Sequence, residues 1–253
     1  MELGLQGANV LVSGGTRGIG RAIARAFAAE RAIVSICARD EADVLRTVAD
    51  LAGEGARIHG ACCDVTDGED VRRWVGQAAE TLGGVDVVVA NVSAIAMASD
   101  EATWRRSFET DLLGAVRLIR AAEPWLVASP RAAIVTLGSV SAREIDPSGG
   151  AYGAMKAALV HYTQSLAATL AAHGVRANCV SPGATYAPDG IWGRIERERP
   201  DAFAATVRAH PRGRLARPEE VANAVLFLSS PAAGFVSGTH LVVDGSASRG
   251  IQF

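Results

Sequence analysis

Short apolar runs alternate with longer amphipathic segments along nearly the whole chain, and this alternation restricts the fold more than any other feature. The apolar runs are predicted strands at 8–12, 33–38, 58–63, 85–90, 133–137, 176–180 and 240–243. Helical patterns lie between them at 18–30, 40–52, 67–82, 103–128, 151–173 and 218–228. Continuous Val- and Ile-rich strands are typical of a parallel sheet that is covered on both faces. The sequence therefore predicts an α/β chain with one domain over residues 1–253. This is a Rossmann-type, doubly wound fold with about seven parallel strands and helices on both faces.

One long stretch, 181–217, has no clear pattern and contains prolines at 182, 188, 200 and 211. Unstructured loops of more than about 15 residues in compact domains usually have a function. This stretch follows the sixth predicted strand, and doubly wound folds place ligand-facing loops at that end of a strand. We therefore expect a substrate loop around residues 184–217.

Composition excludes several functional classes. A chain of 253 residues with 49% hydrophobic content and a net charge of −2 is globular, and it lacks the basic block that nucleic-acid binding requires. Four cysteines without CxxC spacing and five scattered histidines argue against a metal site and for reduced thiols in the core. Two uncharged stretches, 157–175 and 221–243, are broken by polar residues or proline, so neither resembles a membrane span. With no apparent signal peptide, we expect a soluble cytoplasmic protein with no membrane or nucleic-acid partner.

A glycine-rich segment joins the first predicted strand to the first predicted helix. Residues 13–20 read Ser-Gly-Gly-Thr-Arg-Gly-Ile-Gly, with G-x-x-x-G-x-G spacing. Glycines allow positive φ and close backbone approach, and a helix N-terminus stabilises the charge of a pyrophosphate. Such turns also join strands to helices without any ligand. Its position in the first βαβ unit favours a dinucleotide site.

The end of the second predicted strand bears on the choice of cofactor. NAD sites usually place a carboxylate there for the ribose 2′-hydroxyl. This strand ends in Ala38, followed by Arg39, whose guanidinium is suited to pairing with a 2′-phosphate. Arg17 is a second candidate for the same phosphate. The alternatives are that both arginines are solvated surface residues, or that Asp40 turns inward. The pattern favours NADP(H), with NAD less favoured.

Tyr152 and Lys156 form a YxxxK pair at the start of a predicted helix, which places both on one face one turn apart. A nearby cation stabilises phenolate and so fits tyrosine for proton exchange with a carbonyl or carbinol oxygen. Of the 25 basic residues, Lys156 is the single lysine, which suggests a site that arginine cannot fill. Ser139, at the end of the strand 133–137, is placed to hydrogen-bond the same oxygen. Chance retention of one lysine, and an ordinary turn serine, are the alternatives.

With these motifs in place, the sequence resembles the short-chain dehydrogenase/reductase family, close to its 3-oxoacyl-[acyl-carrier-protein] reductase-like branch. The resemblance covers the chain from the first strand to Gly245. The motifs that carry it are the glycine segment 13–20, Asp64-Val65, Ala90-Asn91-Val92-Ser93, Ser139 with Tyr152 and Lys156, Ser181-Pro182-Gly183, and Val243-Asp244-Gly245. They are specific for the fold and for redox chemistry but do not identify the substrate.

The resemblance implies roles for individual residues. Tyr152 would be the general acid in reduction and the general base in oxidation, Lys156 would assist it and hold the nicotinamide ribose, and Ser139 would polarise the carbonyl. The implied cofactor-binding residues are Gly14, Thr16, Arg17, Gly18, Ile19, Gly20, Arg39, Asp64, Val65, Asn91, Tyr152, Lys156, Pro182, Gly183 and Thr185. The family is commonly homotetrameric, with helices 103–128 and 151–173 pairing across one two-fold axis and the C-terminal segment across another.

The sequence departs from the family pattern in three places. Asp111 stands where the family has an asparagine that supports a water in a proton relay to the lysine. Our hypothesis is that Asp111 belongs to the catalytic group, keeps the relay and shifts the pH optimum. Ala90-Asn91-Val92-Ser93 replaces Asn-Asn-Ala-Gly, and Ala187 replaces a threonine, so one cofactor hydrogen bond is expected to be missing.

The sequence predicts an NADP(H)-dependent oxidoreductase that interconverts a ketone and a secondary alcohol, with no metal. One alternative is an NAD-preferring alcohol or sugar dehydrogenase. Another is a non-catalytic dinucleotide-binding sensor, because a fold alone does not determine function. Titration with both cofactors distinguishes the NAD-preferring enzyme from the NADP(H)-dependent one. Turnover of a panel of carbonyl compounds distinguishes an enzyme from a non-catalytic sensor.

Overall fold

A computed structural model describes residues 2–145 and 150–249 of the chain. Seven strands are present: β1 (Asn9–Ser13), β2 (Ile33–Ala38), β3 (Arg57–Cys62), β4 (Val87–Ala90), β5 (Ala133–Leu137), β6 (Arg176–Pro182) and β7 (His240–Val243). They form one parallel sheet in the order β3-β2-β1-β4-β5-β6-β7. The chain order reverses between β1 and β4, and ligands of doubly wound folds bind at such a reversal. The predicted fold class is confirmed.

Helices connect the strands and cover both faces of the sheet. They are α1 (Gly18–Ala29), α2 (Glu41–Gly53), α3 (Gly68–Leu82), α4 (Glu101–Ser107), α5 (Gly114–Ala128), α6 (Gly150–Leu170), α7 (Ile191–Glu198), α8 (Pro200–Ala209) and α9 (Pro218–Ser229). A π-helical turn (Phe108–Leu113) joins α4 to α5, and 3₁₀ turns lie at Val140–Ala142, Ala171–His173 and Pro231–Ala233.

Two hydrophobic cores lie on opposite faces of the sheet. On one face, Phe27 of α1 and Val225 of α9 pack against alternate strand residues. On the other face, Trp74 of α3, Leu118 of α5 and Leu159 of α6 pack against the remaining ones. Because both faces are covered, the central strands are buried and mostly apolar, as is typical of a parallel sheet. The two cores hold the carboxyl ends of the strands, where the candidate residues lie.

The structure differs from the sequence prediction in two segments. The single helix predicted at 103–128 is interrupted by the π-helical turn Phe108–Leu113, which carries Asp111. The stretch 181–217, predicted to be irregular, contains α7 and α8. Both helices lie in the segment 184–217, which is called the lid below. They are short, and proline at the start of α8 fits the first turn of a helix instead of breaking one. The expectation of core thiols holds for Cys37, Cys63 and Cys179 but is wrong for exposed Cys62.

Candidate active site

The glycine segment after β1 forms a tight loop that only glycines accommodate. Gly14 and Gly18 have φ values of +66° and +51°. A Cβ atom on Gly20 would lie 2.0 Å from the carbonyl oxygen of Gly14. The side-chain amide of Asn91 donates to the carbonyl oxygens of Ser13 (3.0 Å) and Gly14 (3.1 Å), which ties the loop to the end of β4. The side-chain NH₂ of Asn91 is therefore engaged with this loop, which leaves the oxygens of Asn91 for the predicted ribose contact.

The N-terminus of α1 differs from those of the next three helices. Asp40, Asp67 and Asp100 cap α2, α3 and α4, and each of those helices also has an acidic first turn. The cap residue of α1 is Arg17, which makes no capping hydrogen bond, and its first turn contains no acidic residue. The unpaired N–H groups and positive dipole end of α1 are thus free to bind an anion.

Two exposed arginines lie beside this loop. The guanidinium groups of Arg17 and Arg39 make no hydrogen bond or ion pair within residues 2–145 and 150–249. The side chain of Asp40 accepts a hydrogen bond from the backbone N–H of Asp43 (2.9 Å), so it serves as the cap of α2. Asp40 therefore does not take the place of the missing carboxylate at the end of β2.

The other candidate cofactor-binding residues lie after β3, at or after the end of β6, and in the glycine segment. Asp64 accepts two hydrogen bonds from Thr66, and Val65 is buried against Gly114. Thr185 donates to the carbonyl oxygen of Gly183 (3.0 Å). The remaining predicted cofactor-binding residues take these places: Thr16 in the turn before α1, Ile19 and Gly20 in the first turn of α1, and Pro182 at the end of β6. All of them lie at the carboxyl edge of the sheet.

Tyr152 and Lys156 lie on the same face of α6. The ammonium of Lys156 is 5.7 Å from the centroid of the Tyr152 ring. Lys156 is buried, with 1% exposure, and donates to the carbonyl oxygen of Leu137 at the end of β5 (2.9 Å). Ser139 caps the 3₁₀ turn that follows β5 by accepting from the N–H of Ser141 (3.1 Å). A Cβ on Gly153 would lie 2.8 Å from the carbonyl oxygen of Ser141, so this glycine lets α6 approach the turn that carries Ser139.

Asp111 adds a carboxylate to the group formed by Tyr152, Lys156 and Ser139. It is 1% exposed, and its Oδ1 lies 3.5 Å from Nζ of Lys156. Ser93 donates a short hydrogen bond to Oδ1, while Ser107 (2.9 Å) and the N–H of Ala94 (3.3 Å) donate to Oδ2. In the sequence, Ser93 and Asp111 are two separate departures from the family pattern. Their contact was not predictable from the sequence because it depends on the π-helical turn.

A second polar cluster is formed by residues of β5, β6, β7 and α6. Thr136 and Thr163 share a hydrogen bond of 2.7 Å, and His240 lies 2.6 Å from the hydroxyl of Ser181. Burial raises the pKa of the Cys179 thiol, which therefore stays neutral. Burial, together with the charge of Arg143, lowers the pKa of the His240 imidazole. The cluster is neutral near pH 7, so Asp111 and Lys156 are the charged groups of the buried site.

The lid is held together by its own contacts. The hydroxyl of Tyr186 donates to Glu196 of α7 (2.6 Å), and this bond raises the pKa of the tyrosine. The Tyr186 ring also packs against Phe203 of α8, with 5.7 Å between ring centroids. Residues 184 and 216 are joined by a backbone hydrogen bond, which fixes both ends of the lid beside β6.

Metal binding and membrane insertion have no structural support in the described ranges. No group of three or more His, Cys, Asp or Glu side chains there is arranged to hold a metal ion. No helix in those ranges is long and apolar enough to span a bilayer.

Comparisons with known proteins agree with this geometry. The family model described as Enoyl-(Acyl carrier protein) reductase matches residues 14–248. The chain is 40% identical to isoepoxydon dehydrogenase patN of Penicillium expansum, over 100% of this chain and 99% of that protein. It is 38% identical to cis-4-hydroxycyclohexanecarboxylate dehydrogenase of Sinomonas cyclohexanicum, over 93% and 94% of the two chains.

A solved structure with a closely similar fold is an NADPH-bound short chain oxidoreductase from Pseudomonas aeruginosa PAO1, described as containing an atypical catalytic center. It superposes with a TM-score of 0.90 and 30% identity, covering 97% of this chain and 99% of that one. Relatives of this kind are dehydrogenases that act on alcohol and ketone groups with NAD or NADP, and the same holds for this enzyme. The chain belongs to the short-chain dehydrogenase/reductase family.

Proposed function

We propose that the protein is an NADP(H)-dependent oxidoreductase that interconverts a ketone and a secondary alcohol, with Tyr152 as the general acid and base. The observation that carries this proposal is the placement of Tyr152 and buried Lys156 on one face of α6, beside Ser139. The bound nicotinamide would supply or accept the hydride.

The residues around the glycine loop fit a phosphorylated dinucleotide. The uncapped N-terminus of α1 and the close backbone approach at Gly20 suit a pyrophosphate. Arg17 and Arg39 are exposed and unpaired in the described chain, and guanidinium groups bind a phosphate through two parallel hydrogen bonds. Asp40 caps α2, and the positive end of that helix offsets part of its charge, so its carboxylate opposes a 2′-phosphate less than an uncompensated one would. These features support NADP(H) over NAD(H).

The proposed chemistry uses three side chains of this protein. In reduction, the phenol of Tyr152 gives its proton to the substrate oxygen, and in oxidation it accepts that proton back. The ammonium of Lys156, near the ring, stabilises the negative charge that forms on the phenol oxygen. The hydroxyl of Ser139 donates a hydrogen bond to the same substrate oxygen and orients it. Asp111 acts through Lys156, to which it is ion-paired.

The test is a carbonyl and alcohol panel followed by NADPH absorbance. The panel includes 4-oxocyclohexanecarboxylate, the ketone that corresponds to the alcohol named in one relative. Tyr152→Phe should bind NADPH like the native protein yet lose turnover by about 10²–10⁴-fold. Full turnover by Tyr152→Phe would refute the role of the tyrosine, and the absence of turnover by the native protein over the whole panel would refute the ketone reaction.

Cofactor choice has its own test. Titration by fluorescence should show tighter binding of NADPH than of NADH. Arg39→Ala should weaken the binding of NADPH about 10- to 100-fold, the equivalent of one charged hydrogen bond. The affinity for NADH should stay unchanged. Tighter binding of NADH by the native protein would favour the NAD-preferring alternative.

The assembly we propose is a homotetramer. Trp104, Phe108 and Trp125 are about 40% exposed on the α4–α5 segment, and Phe235 is fully exposed before β7. These two apolar areas support pairing across two different two-fold axes. Light scattering should give a tetramer, and Trp125→Glu and Phe235→Asp should each reduce it to a dimer. A cytoplasmic location stays a prediction.

A further inference from the structure

The ion pair between Asp111 and Lys156 is closed off from solvent on most sides. Both residues are 1% exposed, and their side chains are 0% and 2% exposed. The second acceptor of Lys156 is a backbone carbonyl, and Ser107, which also donates to Asp111, is fully buried. Neither this carbonyl nor the buried hydroxyl of Ser107 is placed to carry a proton to or from water. Yet each cycle of carbonyl reduction removes one proton from the Tyr152 side of this cluster, and that proton must be replaced from solvent.

Ser93 is the contact of Asp111 that reaches toward the surface. It is half-buried, and its hydroxyl donates to Oδ1, the same carboxylate oxygen that faces Lys156. The hydroxyl oxygen also accepts from the exposed N–H of Ile95 (3.2 Å). A hydroxyl oxygen has two lone pairs, so one remains to accept a hydrogen bond from water.

We propose that Ser93 is a positioning residue that passes protons between solvent and the buried Asp111–Lys156 pair, an inference that rests on the proposed function of Tyr152. Water gives a proton to the Ser93 oxygen while Ser93 gives its own proton to Oδ1 of Asp111. The Asp111 carboxyl then gives that proton to Nζ of Lys156, which replaces the one that Lys156 passes toward Tyr152. Each O–H or N–H bond that breaks is matched by one that forms, and no electrons are transferred.

The distances allow this sequence with a small movement. Oδ1 and Nζ are 3.5 Å apart, slightly longer than a hydrogen bond of about 2.7–3.2 Å. A rotation of the lysine side chain that moves Nζ by a few tenths of an ångström closes this gap. Ser93 already donates to the same oxygen.

Titratable and charged groups face the Asp111–Lys156 pair from several neighbouring elements. Lys156 and Tyr152 face the site from α6, and Cys179 lies on β6 with its pKa raised by burial. Arg143 follows the 3₁₀ turn near His240. Arg117 on α5 forms an ion pair with Glu109 of the π-helical turn at the surface. Ser107, the donor from α4, is not titratable.

Ser93→Ala and Ser107→Ala form a matched pair of variants, because each removes one hydroxyl donor from the same carboxylate. Only Ser93 lies on the proposed route. With the panel ketone of highest turnover, Ser93→Ala should lower kcat about tenfold or more and leave KM within about twofold. It should also change the pH profile of kcat and raise the solvent deuterium isotope effect, and small acids such as formate should restore part of kcat. Ser107→Ala should leave the isotope effect and the formate response at native values.

A third variant guards against a folding defect. Ser93→Thr keeps the hydroxyl and should keep a native isotope effect and kcat, with thermal melting recorded for all variants. Equal isotope effects in Ser93→Ala, Ser107→Ala and native protein would overturn the proton route, as would a Ser93→Thr variant that folds but behaves like Ser93→Ala. Tyr152→Phe separates the two proposals. If it keeps turnover, the proposed function fails, whereas if it is inactive, the serine variants report on the route alone.

Discussion

The buried ion pair between Asp111 and Lys156 makes a measurable prediction about stability. Removing one member of a buried pair typically costs about 3–5 kcal/mol, because the other charge remains buried without compensation. The two residues differ in the hydrogen bonds that each retains when its partner is removed. Without Lys156, the Asp111 carboxylate still accepts from Ser93, Ser107 and Ala94. Without the Asp111 charge, Lys156 keeps one partner, the carbonyl oxygen of Leu137.

Asp111→Asn should therefore lower the free energy of unfolding more than Lys156→Met does. We expect about 4–5 kcal/mol for Asp111→Asn and about 3 kcal/mol for Lys156→Met. The double variant should recover a large part of the loss, because it buries no charge. At this chain length each kcal/mol corresponds to roughly 2–4 °C in the melting temperature.

Urea unfolding at one fixed protein concentration measures these values, and the double-mutant cycle isolates the coupling. Arg105→Met is the matched control. It breaks the exposed pair of Arg105 with Glu101, whose side chains are 77% and 78% exposed, and should leave the unfolding midpoint unchanged. Additive effects of the two single variants would refute the coupled pair, and a reversed order would refute the reasoning from the remaining hydrogen bonds.

Three further predictions concern stability elsewhere in the fold. The side-chain hydrogen bonds of Arg214 hold the pKa of Glu220 at about 2 instead of 4.5, so this stabilisation is present above pH 4.5 and lost as the pH falls toward 2. The difference in urea midpoint between native protein and Glu220→Gln should shrink over that range, and a difference independent of pH would contradict it. Trp74→Phe removes the indole N–H that donates to buried Ser35 (3.0 Å) and should cost about 1–3 kcal/mol by urea unfolding, whereas no loss would show that the bond is dispensable. Asp67→Ala removes the N-cap of α3 and should lower the free energy of unfolding by about 1 kcal/mol, whereas Asp67→Asn should be close to neutral. Equal losses of stability in these two variants would show that the charge of Asp67 matters and not its capping hydrogen bonds.

The sheet was predictable because burial on both faces leaves a direct trace in the sequence. The predicted strands at 33–38, 133–137 and 240–243 coincide with the observed β2, β5 and β7. The spacing of Tyr152 and Lys156 also predicted their shared face, since four residues make about one helical turn. Local spacing and strand burial thus account for most of the fold and for the pairing within α6.

The lid helices and the π-helical turn were not predictable in the same way. Helix α8 has no fully buried residue, and α7 buries only Gly193, so neither is packed into the core as α1, α5 and α9 are. The π-helical turn has helical periodicity on both sides, and its extra residue is visible only in the hydrogen bonds. The contacts of Asp111 with Ser93 and Lys156 depend on that turn and on residues 18 and 45 positions away.

The carboxylate at position 111 is therefore best understood together with its neighbours. A buried carboxylate without donors or a counter-charge is strongly destabilising, and Asp111 has three donors and one ammonium. Ser93, the other departure from the family pattern in this region, supplies one of those donors. An asparagine at 111 would not need that hydroxyl, because an amide carries no charge to compensate. The two departures thus form one physical unit, in which the serine stabilises the charge and connects it to the surface.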